Sequence, residues 1–168
     1  MSRAAVALGS NLGDRAGLLQ GAVDALLAVP GIAPVAVSPV YATDPVGGPD
    51  DQPEYLNAVL VVDTDLAPLD LLRHCHDVEQ AAGRVRTVRW GARTLDVDLL
   101  AVGATTWSDA TLRLPHPRAH ERAFVLVPWA DVDPGFVLPG YGRVADLAAA
   151  VDRTGLRPAP DVSLRLGR

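Results

Sequence analysis

The sequence predicts one globular unit built from interspersed strands and helices, an α/β or α+β sandwich. Three observations lead there. Short apolar runs of strand length alternate with segments whose apolar residues recur at helical spacing. A hydrophobic content of 49% over 168 residues is enough to bury an ordinary core. No internal repeat or linker divides the chain.

The first apolar run, "AAVALGS" at 4–10, reads as a strand ending in glycine. A helix follows in "NLGDRAGLLQGAVDALLAV", with Leu18, Leu19, Ala22, Leu26 and Val29 on one stripe and Pro30 and Gly31 as its stop. "APVAVSPVYAT" at 33–43 is expected to be extended, and its prolines suit an edge strand. Residues 44–53, "DPVGGPDDQP", hold three prolines and two glycines and predict a functional loop.

"EYLNAVLVVDTDL" is a valine-rich strand, and "APLDLLRHCHDVEQAAG" a helix presenting Leu71, Leu72, Cys75, Val78 and Ala82. "RVRTVRWGAR" is a second candidate functional loop before the strand "TLDVDLLAV". "AFVLVPWA" at 123–130 fits helix or strand by pattern, and "RVADLAAAVD" at 143–152 predicts a helix. Residues 1–152 are thus expected to form the single domain, and 153–168 a loosely held C-terminal tail.

Composition excludes several chemistries. All 15 basic residues are arginine, against 20 acidic ones, giving a net charge of −5. Without lysine there is no Schiff-base chemistry and no G-x-x-x-x-G-K-[ST] phosphate loop, so a phosphate must be held by arginine, backbone or metal. An acidic chain lacks the electrostatic footprint of a general nucleic-acid binder. The single Cys75 cannot form an internal disulfide, and no apolar run suggests a signal peptide or membrane span. A reducing cytoplasm is the expected location.

The chemistry concentrates in "RWGARTLDVDLL" at 89–100. On a strand, Leu95, Val97 and Leu99 face one way and Thr94, Asp96 and Asp98 the other. Two carboxylates about 7 Å apart on one face repel each other unless a cation sits between them. Magnesium, held by one or two carboxylates plus substrate phosphates, is the natural occupant. Arg84, Arg86, Arg89 and Arg93 stand within fourteen residues of Asp98, and guanidinium forks match phosphate oxygens. The competing reading is a solvated acidic face paired with nearby arginines.

Other motifs carry plainer alternatives. "GSNLG" at 9–13 could cradle a phosphate, but glycine and an Asn or Ser cap also serve ordinary strand-to-helix turns, and that reading is preferred. "HCH" at 74–76 is rejected as a metal site because positions i and i+2 diverge on a helix. Tyr55 and Asn57 alternate together on a strand, one able to stack on a flat ring and the other to make paired amide hydrogen bonds; core packing and a turn role are the alternatives. "PHPRAHERAF" supplies His116, Arg118, His120 and Arg122, and on pattern alone the preferred reading is an ordinary polar loop.

In this order the segments "ALGSNLGDR" (7–15), "QPEYLNAV" (52–59), "GRVRTVRWGARTLDVDLL" (83–100) and "LPHPRAHERAFVLVPW" (114–129) resemble the 6-hydroxymethyl-7,8-dihydropterin pyrophosphokinase family. The resemblance implies a ferredoxin-like α+β sandwich, mainly antiparallel, and transfer of the β,γ-pyrophosphate of ATP to a dihydropterin hydroxymethyl group with two Mg2+ ions. It implies that Asp96 and Asp98 hold the magnesium and that Arg84 and Arg93 close on the phosphates. Glu79, Arg86, Trp90, Arg93, Leu99, His116 and Arg122 would meet ATP. Tyr55 and Phe124 would sandwich the pterin, with Thr43, Val46, Asn57 and Trp90 around it. The loops 44–53 and 84–93 would be lids. His76 stands where some members have glutamine, Pro117 where some have an aromatic residue, and Thr111 near a position some fill with arginine, with Arg113 beside it. Rival readings are another magnesium enzyme, such as a nucleotidyltransferase or D-x-D glycosyltransferase, and a non-catalytic ferredoxin-like binding module.

Overall fold

A computed structural model of the chain describes residues 1–11, 13–44, 54–83 and 95–167. Both candidate loops apart from Asp44, and with them Val46, Arg84, Arg86, Arg89, Trp90, Arg93 and Thr94, lie outside the described residues. The elements run β1 (Ser2–Ser10), α1 (Arg15–Leu27), β2 (Ile32–Val37), β3 (Tyr41–Thr43), β4 (Tyr55–Thr64), α2 (Pro68–Gly83) and β5 (Asp96–Val102). Then come β6 (Trp107–Ser108), β7 (Arg113–Leu114), a 3-10 turn (Ala119–Glu121), α3 (Ala123–Val132), β8 (Val137–Leu138), β9 (Gly142–Arg143), α4 (Val144–Ala150) and β10 (Leu156–Pro158).

The principal sheet is antiparallel in the order β10-β3-β4-β1-β5, with β2 also on β4. If β2 and β3 are counted as one interrupted strand, the connectivity is β-α-β-β-α-β, the ferredoxin-like arrangement expected. The proline-bearing stretch 33–43 is two strands because Pro39 cannot donate to the ladder. Ser38 bridges the break: its N–H donates to the Val59 carbonyl at 2.9 Å, and its Oγ accepts the Val59 N–H at 2.8 Å.

Alternation along the strands feeds two cores. Val6, Leu8, Leu56, Leu60, Val97 and Leu99 pack with Leu19, Leu26, Leu71 and Cys75 of α1 and α2. Ala5, Val59, Val61, Leu100 and Ala101 pack on the opposite face with Val125, Trp129 and Val144 of α3 and α4. A β-bulge interrupts this alternation: Ala5 faces Ala101 while Val6 faces Leu99, so Leu100 is the additional residue in β5. The segment 123–130 resolves as helix despite Pro128, with Val125–Trp129 buried under the sheet.

The C-terminal segment differs from the expected loose tail. Residues 156–158 add β10 to β3, and the Ala159 N–H donates to the Val40 carbonyl at 2.9 Å. Ala159, Val162, Leu164 and Leu166 pack against the α1/α2 core, and the Arg165 N–H donates to Gln20 Oε1 at 2.9 Å. The alternating apolar residues of "APDVSLRL" explain this, since each apolar side chain covered offsets part of the ordering entropy. Among the described residues no helix is long and apolar enough to cross a membrane.

Candidate active site

The site begins with what β1 lacks. On the α3/α4 face this central strand presents Ala5, Ala7 and then Gly9, so the sheet surface sinks between its neighbours. Gly9 lies between Asn57 of β4 and Asp96 of β5; Ala7 lies between Val59 and Asp98. A methyl group at Gly9 would stand 3.3 Å from Asn57 Oδ1, closer than side chains ordinarily allow.

Over this floor lies a pocket of about 560 Å3. Tyr55, Asn57, Thr43 and Phe124 line it together with Asp96, Asp98 and Arg122. Asn57 is buried, and its Nδ2 donates to Thr43 Oγ1 at 3.0 Å, which fixes the amide orientation. The Arg122 guanidinium stands 5.5 Å from the centre of the Phe124 ring.

A second pocket of about 370 Å3 lies on the other side of Asp98. Glu79, Leu99 and His116 line it, as do His76, Thr111, Arg113 and Pro117. Asp98 belongs to both pockets. Glu79 Oε1 accepts the Val97 N–H at 2.8 Å, tying α2 to β5. The His116 N–H donates to the carbonyl of the bulged Leu100 at 2.8 Å, and its Nδ1 accepts the Arg118 N–H at 3.2 Å.

The charges agree with this division. Burial lowers the His116 pKa below its usual value; Asp98 opposes the shift, while Arg122 and Arg118 reinforce it. His116 is therefore neutral at pH 7, accepting at Nδ1 and offering Nε2–H as a donor. Burial pushes the Cys75 thiol up to about 12, helped by Glu79 and Asp98. Such a thiol stays protonated at neutral pH, and Cys75 is buried while His74 is half-buried and His76 exposed.

The structure brings Asp96, Asp98, Thr43, Tyr55, Asn57 and Phe124 together, and places Glu79, Leu99 and His116 across Asp98 from them. Arg122, grouped by sequence with the second set, lines the first pocket. The Asn or Ser cap expected within "GSNLG" is not the one that forms: Asp14, one residue beyond, caps α1 by accepting the Gly17 N–H at 3.1 Å, while Gly9 is pocket floor. Sequence reasoning missed Thr154, Gly155 and Leu156 in the first pocket and Asp109 in the second, while Asp44 opens the loop it singled out. The tail residues gave no signal because their place depends on long-range pairing. Asp109 gave a local one: its carboxylate accepts from the Thr111 and Leu112 N–H groups and Trp107 Nε1, a turn pattern that holds its pKa low.

Fold and site define a class: an α+β protein with two adjoining pockets that share Asp98, one of two carboxylates on the same face of β5. A family model described as 7,8-dihydro-6-hydroxymethylpterin-pyrophosphokinase matches residues 5–134. The chain is 47% identical over 156 residues to the 2-amino-4-hydroxy-6-hydroxymethyldihydropteridine pyrophosphokinase of Methylorubrum extorquens, covering 93% of this chain and 98% of that protein. It is 44% identical over 160 residues to the Pseudomonas aeruginosa protein of the same name, covering 95% and 98% respectively. In fold it is similar to a crystal structure of Plasmodium falciparum HPPK-DHPS with pteroate, at TM-score 0.66 and 15% identity. That alignment covers 88% of this chain and 42% of the Plasmodium chain. The chain belongs to the 7,8-dihydro-6-hydroxymethylpterin-pyrophosphokinase family.

Proposed function

We propose that this protein transfers the β,γ-pyrophosphate of ATP to the hydroxymethyl oxygen of 6-hydroxymethyl-7,8-dihydropterin, releasing AMP in folate biosynthesis. Family membership and one feature of the site support this reading: Asp98 borders both pockets, so groups held in the two compartments meet at its carboxylate.

The dihydropterin belongs in the first pocket. Tyr55 and Phe124 offer flat apolar surfaces, and the Asn57 amide, oriented by Thr43, offers a donor and an acceptor to the ring edge. Val46 and Trp90 would complete it, on the strength of the sequence resemblance. ATP belongs in the second pocket, beside Glu79, Leu99 and His116, with its β-phosphorus turned towards Asp98. There the pterin oxygen forms a bond to the β-phosphorus as the bond to the α-phosphate oxygen breaks, and that oxygen leaves with AMP.

Asp96 and Asp98 supply an acidic, all-oxygen donor set on one open strand face, which fits magnesium completing its shell with phosphates and water. Two Mg2+ ions held there would neutralise phosphate charge and make the alcohol more acidic. Asp98 would also receive the hydroxyl proton as the new bond forms. His116 donates from Nε2 to a phosphate oxygen as a neutral group, while Arg122 contributes full charge from the first pocket. Arg84, Arg86 and Arg93 would add charge around the triphosphate, again by resemblance. The protein would work in the cytoplasm as a monomer.

The test is direct. The chain, ATP, magnesium and 6-hydroxymethyl-7,8-dihydropterin should yield AMP and the dihydropterin diphosphate in equal amounts. Release of inorganic pyrophosphate instead would indicate a nucleotidyltransferase, and no product at all would overturn the reading.

A further inference from the structure

The family match ends at residue 134, yet Thr154, Gly155 and Leu156 form part of the wall of the first pocket. This wall is built into the fold. The Thr154 N–H and hydroxyl both donate to Asp152 Oδ1, at 2.9 and 2.7 Å, and the Leu156 N–H donates to the Arg153 carbonyl at 3.0 Å. Gly155 turns the chain at φ +82, a conformation L side chains rarely adopt. The segment then pairs Leu156 with Thr43 and Arg157 with Ala42.

Arg157 continues the attachment across the pocket rim. Its guanidinium lies 3.1 Å from Asp44 Oδ1 and 2.7 Å from Glu54 Oε2. Asp44 follows β3 and lines the pocket; Glu54 precedes Tyr55, which lines it too. Thr43 and Tyr55 are cross-strand partners, so one guanidinium spans the ends of the two strands that present them. Glu54 is held on its other side as well, where Arg15 Nη1 donates to its carbonyl at 2.7 Å.

We propose that residues 154–157 complete the dihydropterin pocket and that Arg157 is a positioning residue for this substrate, holding Asp44 and Glu54 so that Thr43 and Tyr55 keep their spacing. The occupant rests on the function proposed above; the pocket wall and the ion pairs do not. Exposed ion pairs are individually weak, so the effect should be graded and selective. A general loss of structure would affect both substrates alike.

The experiment measures binding of 6-hydroxymethylpterin, by its fluorescence, and of a non-hydrolysable ATP analogue with magnesium, to the full chain and its variants. Arg157→Ala should weaken pterin binding roughly three- to tenfold. Nucleotide binding should change less than about twofold, and Arg157→Lys should recover most of the loss. Leu156→Trp, which fills the pocket from the C-terminal side, should weaken pterin binding further with nucleotide binding intact. Unchanged pterin affinity in both Arg157→Ala and Leu156→Trp would overturn the proposal, and so would equal losses for pterin and nucleotide. A wild-type chain that binds no pterin would instead remove the proposed function, and this assignment with it.

Discussion

The two faces of one sheet behave as opposites although they are written in the same strands. Towards α1 and α2, β1, β4 and β5 send Val6, Leu8, Leu60, Val97 and Leu99, and the face is sealed except at its β5 edge, where Val97 and Leu99 border the second pocket. Towards α3 and α4 they send Ala7, Gly9, Asn57, Asp96 and Asp98, and the face opens into a pocket. Every second residue is therefore under a different demand: volume on one side, and its absence plus polar chemistry on the other. Stability and function are interleaved at single-residue spacing, so substitutions one position apart should fail in different ways.

The largest contrast should come from the carboxylates. Asp96→Ala and Asp98→Ala should each lower kcat, followed by AMP release, by at least about a hundredfold. Their thermal melting should stay close to wild type, because neither side chain carries core packing; near-normal turnover in either would break the metal assignment. On the sealed face the order reverses. Leu60→Ala should cost about 2–5 kcal/mol in denaturant unfolding while leaving substrate affinities below the transition nearly unchanged.

Gly9→Ala tests the floor itself. The added methyl would press on Asn57 Oδ1, whose amide is tethered to Thr43, so pterin KM should rise roughly three- to tenfold with ATP KM unaffected. An unchanged pterin KM would show that Asn57 can give way.

The smallest effects lie in the second pocket. In the protein without substrates, His116 should titrate below 6.5 by NMR, lower still in Asp98→Asn and higher in Arg122→Ala. Since its folded pKa is depressed, the unfolded chain takes up the proton first. Stability should thus fall as pH drops below 6.5 towards the folded value, and be unaffected by this group above it. A titration at or above 6.5 would contradict the buried, neutral histidine.

Much of this was legible from local pattern. The period-two alternation of "TLDVDLL" separated Asp96 and Asp98 from Val97 and Leu99, and helical spacing found α1 and α2. Local pattern could not show that "AFVLVPWA" is a helix, since an apolar run buried on nearly every side has no period to read. Nor could it show that the residues after 153 return to β3, which depends on a partner more than a hundred positions away. Arg122 follows the same rule: its position in the chain put it with His116, but the turn into α3 carries it to the other compartment.

The bulge in β5 places a limit on chain length rather than on residue type. Asp98 stands before the additional residue, and the peptide that fixes His116 is hung from that residue's own carbonyl. Replacing Leu100 with another apolar side chain keeps that attachment, because it is made by backbone. Removing or adding one codon between Asp98 and Leu100 would slide the histidine's anchor along the strand by about 3.3 Å, more than a hydrogen bond can absorb. Alignments of β5 should therefore vary in letters and be nearly free of gaps.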